Sequence, residues 1–498
     1  MFLNKSIPLL FGTPSTVGSY RGLLASFVVL NFGTICYLAS ELWRSFPYFE
    51  LITLLVGIHG LTALLTSSAN LLFVFRYFLV WILIFGTALV WAIYGGEVKV
   101  APFGVEYQTY ENTRILVFAG LLSLCGSLAG WHVANLVFRR VGLPCFVLSE
   151  KYRKRFLFVG AGLAAGFGLL YLYKAGGTIG GGIAYGENVR DIGFEFGVFN
   201  IFHFIGISLL LLAAISRDQI RPVILWACMI TLVFGLAAGS RADFLPQLFI
   251  IFVLLFNSHI RVMLEQRRYI KILKWMVLGC LLLVLGYAGA FFIAAWRSGV
   301  NIVAIVPQMI DEDRGILINT LYGHDMFYLE TGNMMLGGLY AAIVNVKEGV
   351  TGFLLGESYL NYLLTAPPAF LGLPRPLGLE WTTEISGMTM SQGGIFEVAE
   401  AYWNFGFIGC LFVSFLISLA FGWLLQKGLW KNNYFLLTWY LVFGFMAFRA
   451  IWYQNFSYFR IMTVMLIIYF FAGVFFRWFV VDRTWMKMRA HFGKGVGI

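Results

Sequence analysis

Runs of apolar residues long enough to cross a bilayer recur along this chain, beginning near Leu23, Leu51, Tyr77, Ile115, Phe156, Val198, Val223, Phe244, Trp275, Tyr402, Tyr434 and Ile461. A run of roughly 20 apolar residues cannot leave its peptide groups unpaired in hydrocarbon, so each must close its own hydrogen bonds as a helix. Composition agrees: 60% of residues are hydrophobic and 12% charged, with a mean hydropathy of +0.82, whereas a soluble chain carries roughly a quarter charged residues. The expected fold is an all-α polytopic membrane protein of about 12 transmembrane helices.

The connections between these runs sort by charge. RRVGLPCFVLSEKYRKR, RDQIR, HIRVMLEQRRYIKILK, QKGLWKN and the final RWFVVDRTWMKMR are basic, and they alternate with acidic or neutral connections. Basic connections stay in the cytoplasm, which puts most of the 35 Lys and Arg and both termini on that side. The first residues lack the basic, apolar, small-residue order of a cleaved signal and read as an uncleaved cytoplasmic tail. GSRAD, within Gly239 to Pro246, is so short that the segment after it reads either as a full span or as a re-entrant helix. The six cysteines, Cys36, Cys125, Cys145, Cys228, Cys280 and Cys410, form no CxxC pair and indicate neither a disulfide framework nor a zinc site.

One long polar interval breaks the pattern, from Trp296 to Ala401, and it divides the chain into spans 1–9 (1–295), an outward-facing cap (296–401) and spans 10–12 with a cytoplasmic tail (402–498). The interval is acidic within a chain of net charge +11. Its apolar runs GFLLG, YLNYLL and AFLGL, broken by Pro367, Pro368, Pro374 and Pro376, are too short to span and too apolar for a free linker. A partly helical cap lying against the membrane is the expected result.

Three outward connections bring arginines to the same face: Arg190 after a glycine-rich stretch, Arg241 in GSRADF and Arg297 in AAWRSG. Each alone reads as a snorkelling side chain or the partner of an acid such as Asp191 or Asp243; together, against the charge bias, they point to an anionic ligand. Asp311-Glu312-Asp313 contains a DxD pattern but reads as a solvated loop rather than a metal site. His324 beside Asp325 reads first as an ordinary hydrogen-bonded residue and second as a candidate for acid–base work. His59, His132 and His203 lie inside apolar runs and read as buried polar contacts, and GGGIAYG lacks the lysine of a nucleotide-binding loop. GESYLNYLLTAPPAFLGLPRP reads as an amphipathic, aromatic stretch stopped by the double proline. In GGIFEVAEAYWNFGFIG, a helix would gather Glu397, Glu400 and Asn404 on one face with Tyr402 beside it, unless this is only a helix start whose acids meet the positive end of the dipole.

The twelve-helix layout, GSRADFL with Arg241 four residues before Leu245, GESYLNYLLTAPPAFLGLPRP and EAYWNFGFIG together resemble bacterial oligosaccharide repeat-unit (O-antigen) polymerases of the Wzy type, relatives of the O-antigen ligases. The resemblance covers roughly Lys174 to Gly409 and implies a GT-C-like architecture. It implies a glycosyltransferase of the bacterial inner membrane, active on the periplasmic side. Such an enzyme moves a growing glycan from undecaprenyl pyrophosphate onto the outermost sugar of another lipid-linked repeat unit. Arg190, Arg241, Arg297 and Arg314 would bind the pyrophosphate, with Arg241 also catalytic. Glu400 or Glu397, then His324, would take the acceptor proton, and Tyr359, Arg375, Tyr402 and Asn404 would contact sugar. The implied partners are the two lipid-linked glycans, membrane lipids and a chain-length regulator, with no metal, cofactor or nucleic acid. The Arg-x10-Gly pattern of some of these polymerases is absent, and Glu397 and Glu400 stand where the ligases carry a histidine. An O-antigen ligase, a lipid-linked oligosaccharide flippase or other transporter, and a non-catalytic scaffold are the alternatives.

Overall fold

A computed structural model describes residues 98–100, 105–107, 110–138, 150–174, 201–213, 338–370, 396–430, 433–453 and 456–476, with residues 77, 80, 84 and 270 singly. In chain order these are a ribbon of β1 (Val98–Val100) and antiparallel β2 (Val105–Tyr107), then eight helices: α1 (Tyr110–Phe138), α2 (Glu150–Lys174), α3 (Ile201–Ala213), α4 (338–347), α5 (Glu357–Phe370), α6 (Glu397–Trp430), α7 (Tyr434–Tyr453) and α8 (Phe456–Phe476). The described part is thus helical, apart from the paired three-residue strands and the loop at 348–356. Among the described residues two helices are long and apolar enough to cross a membrane, Ile115–Phe138 within α1 and Glu397–Leu429 within α6. The expected runs starting near Leu23, Leu51, Val223, Phe244 and Trp275, including the GSRAD connection, lie outside the described residues.

The double proline does not stop its helix. α5 carries through Pro367 and Pro368 to Phe370. A proline removes one backbone donor and crowds the carbonyl four residues back, so its cost falls on the turn before it. Pro367 and Pro368 thus withhold helical bonds from the Leu363 and Leu364 carbonyls, and the helix ends two residues later.

The most extensive helix interface among the described residues joins α1 to α6. It is built on small residues: a Cβ at Gly126 would overlap the Leu411 carbonyl, one at Gly130 the Phe415 carbonyl, and one at Gly422 the Cβ of Ala134. Backbones this close exchange dispersion contacts along their whole length, the packing that apolar helices use when lipid offers no hydrophobic drive. Two side-chain hydrogen bonds fix the register: Ser123 with Ser414 at 2.7 Å, and Gln426 Nε2 donating to Asn135 Oδ1 at 2.7 Å. Contacts advance together along both chains, so α1 and α6 run parallel.

The other helices alternate. Phe421 meets Tyr440 and Phe443, and Phe443 stacks on Tyr458 at 4.8 Å, making α6, α7 and α8 an antiparallel series. α2 and α3 are antiparallel around buried His203, whose Nδ1 donates to the Ala164 carbonyl at 2.7 Å, as a polar contact inside an apolar run should. At one end of the bundle the α6 terminus meets that of α1 through Lys427 over Phe138, and the α2 start meets α7 through Phe156 against Tyr434. That end carries Lys151, Arg153, Lys154 and Arg155. Arg153 donates to both oxygens of Glu150, and these bonds hold its guanidinium above the ordinary arginine value.

Candidate functional site

The opposite end of the bundle is organised by a break in α6. Phe405 (φ −140°, ψ 17°) and Gly406 (φ 65°, ψ −151°) leave the helical region, dividing the element into a short limb, 397–404, and a long limb, 407–430. Gly406 sits where essentially only glycine is tolerated. The limbs fold sharply against each other. The Cys410 thiol lies 3.7 Å from the Val398 carbonyl, although in a straight helix the two residues would be roughly 18 Å apart along the axis. The span therefore consists of the long limb, and the short limb is tucked against its beginning.

A break of this kind strips carbonyls of their helical donors, and the loop before α5 supplies replacements. Leu354 N–H donates to Trp403 O and Leu355 N–H to Asn404 O, both at 3.1 Å. Asn404 completes the join: its Oδ1 accepts from Gly356 N–H at 3.0 Å, and its Nδ2 donates to Ser358 Oγ at 2.8 Å and to Glu400 O at 2.9 Å. Trp403 Nε1 donates to Thr351 Oγ1 at 3.2 Å. Residues 351–358 are thus hydrogen-bonded into the break of α6.

The short limb carries the acids. Glu397, Glu400 and Asn404 are buried on one side of it, Glu400 and Asn404 completely. A solvated helix start leaves first-turn acids in water; withdrawing carboxylates from water costs several kcal/mol each in the absence of compensating partners. Tyr458, at the start of α8, donates to Glu397 Oε2 at 3.3 Å. Tyr402 is buried with its ring against Phe353 and Phe407. Tyr359 is half-buried in α5, stacked on Phe405 and Phe459.

Five of the residues singled out in the sequence, Glu397, Glu400, Tyr402, Asn404 and Tyr359, therefore share one neighbourhood. Arg190, Arg241, Arg297, Arg314, Arg375 and His324 lie outside the described residues, as does the DxD stretch. Ser358 and Tyr458 join the site without having been anticipated. Comparison of the chain with family models, with curated proteins and with solved structures gives no match.

Proposed function

We propose that this protein polymerises undecaprenyl-pyrophosphate-linked oligosaccharide repeat units into O-antigen or a related surface polysaccharide, at the outer face of the bacterial inner membrane. The observation that carries the reading is the buried pair Glu397 and Glu400, held on a tucked helical limb where the cap segment joins the membrane helices. In the proposed reaction Glu400 takes the proton from the acceptor sugar hydroxyl. The resulting oxygen attacks the anomeric carbon of the growing glycan, and the bond from that carbon to the pyrophosphate oxygen breaks. The leaving oxygen keeps the electron pair, and guanidinium groups, with Arg190, Arg241 and Arg297 first, neutralise its charge. Undecaprenyl pyrophosphate departs, and the glycan is longer by one repeat unit.

The test is the polysaccharide ladder of a deletion strain. Lipid carrying single repeats only is expected, with the full ladder restored by the wild-type gene. Glu400→Gln keeps the shape and removes the base, which should lower polymerisation roughly 100-fold or more at unchanged membrane level and elution profile. A normal ladder from this variant removes Glu400 from the reaction. Complete loss of surface sugar in the deletion strain points instead to a ligase or flippase.

A further inference from the structure

We propose that α5 and the loop before it are immersed in the outer edge of the bilayer, with their exposed leucine face against lipid acyl chains. The proposal goes beyond the polymerase reading and does not depend on it.

α5 is inside out by the standard of a helix in water. Its protein-facing side carries Ser358, Asn361 and Thr365 alongside Tyr362 and Ala366, all buried. Its outward side carries Leu360, Leu363 and Leu364, exposed by 55%, 46% and 48%. The loop extends the same surface through Phe353 and Leu355. Leu355 is 78% exposed and stands at φ 47°, a conformation that bulky residues rarely adopt. The backbone is thus held in a costly geometry that turns a leucine outward.

Two observations select lipid as the occupant. The first is backbone satisfaction: although this loop is irregular, the four successive donors Leu354, Leu355, Gly356 and Glu357 N–H are all taken by protein, on Trp403 O, Asn404 O, Asn404 Oδ1 and Leu354 O. A loop in water has no need of this, whereas irregular backbone at membrane depth does. The second is continuity. Tyr359 stacks on Phe405, which leads to the exposed stripe Ile408, Phe412 and Leu416 on the α6 span, and α5 packs along α8. At 14 residues α5 is roughly 21 Å long, too short to cross a hydrocarbon layer of about 30 Å, so it lies within the interface.

The test uses the full chain with its native cysteines replaced and single cysteines at Leu360, Leu363 and Leu364. Each is labelled with a nitroxide and reconstituted in nanodiscs of phosphatidylethanolamine and phosphatidylglycerol, and Glu348→Cys in the exposed turn after α4 serves as the aqueous reference. We expect the three leucine positions to favour collision with oxygen over a water-soluble nickel chelate, and position 348 to show the reverse. Chelate accessibility at Leu364→Cys equal to that at 348 overturns the proposal. So does protection from both relaxants, which would mean that protein covers the face. Should the cysteine-free chain not fold, a photo-crosslinking residue at the same positions gives the answer: adducts to phospholipid support immersion, and adducts to a second copy overturn it.

Discussion

Asn404 shows how one side chain can hold two parts of a protein in register. It accepts from Gly356, donates to Ser358 and, through its main-chain carbonyl, accepts from Leu355. Removing the amide leaves the Gly356 donor and the Ser358 hydroxyl without their partner. We predict that Asn404→Ala lowers stability by about 1–3 kcal/mol, read as a lower thermal midpoint of the detergent-solubilised protein. Gly406→Ala should cost about the same by a different route, since its φ and ψ exclude a Cβ. Gly162→Ala, at an exposed site in α2 with open space around an added Cβ, is the control that should leave the midpoint unchanged or raise it, since alanine removes the backbone-entropy cost of a helical glycine. The i, i+3 and i+4 spacing of Glu397, Glu400 and Asn404 was legible in the sequence, because a helix repeats locally. Ser358 and Tyr458 were not, because they arrive from 46 and 61 residues away and nothing local ties them to the acids.

At the level of elements, the α1–α6 contact depends on the absence of side chains rather than their presence. At Gly130 an added Cβ would meet main-chain atoms of Phe415 and Leu419, which cannot rotate away. We predict that Gly130→Ala separates the helices and costs about 1–3 kcal/mol. Gly126→Ala should behave alike, both read as loss of monodisperse protein after mild heating. Midpoints equal to that of the wild type would mean that the helices slide apart without penalty. The glycine spacing in GSLAGWHVA is visible in the sequence, yet among 55 glycines it does not announce its partner. The opposite lesson comes from α5, where two visible prolines suggested an end that the helix overruns. Proline reports what a backbone cannot donate, and its cost falls on the turn before it.

At the scale of the whole molecule, the apolar runs beginning near Ile115, Phe156, Val198, Tyr402, Tyr434 and Ile461 fall on α1, α2, α3, α6, α7 and α8, because the hydrogen-bond demand of hydrocarbon leaves the backbone little choice. The packing senses are parallel for α1 with α6 and antiparallel along α6, α7 and α8. From the charge alternation we propose that Trp296 to Ala401 lies outside the cytoplasm. We predict that Asp313→Cys reacts with a membrane-impermeant thiol reagent on intact spheroplasts, and labelling only after lysis would reverse the topology. What the sequence could not supply was the fold of α6 back on itself, since EAYWNFGFIG reads equally well as continuous helix. The pairing of α1 with α6 also has a consequence for synthesis. Ser123 and Ser414 stand 291 residues apart, an interval of roughly 15–60 s at ordinary rates of chain elongation. Throughout that time the glycine groove of α1 has left the ribosome without its permanent partner. The insertion machinery, lipid or another segment of the nascent chain must occupy it until the last quarter of the protein arrives.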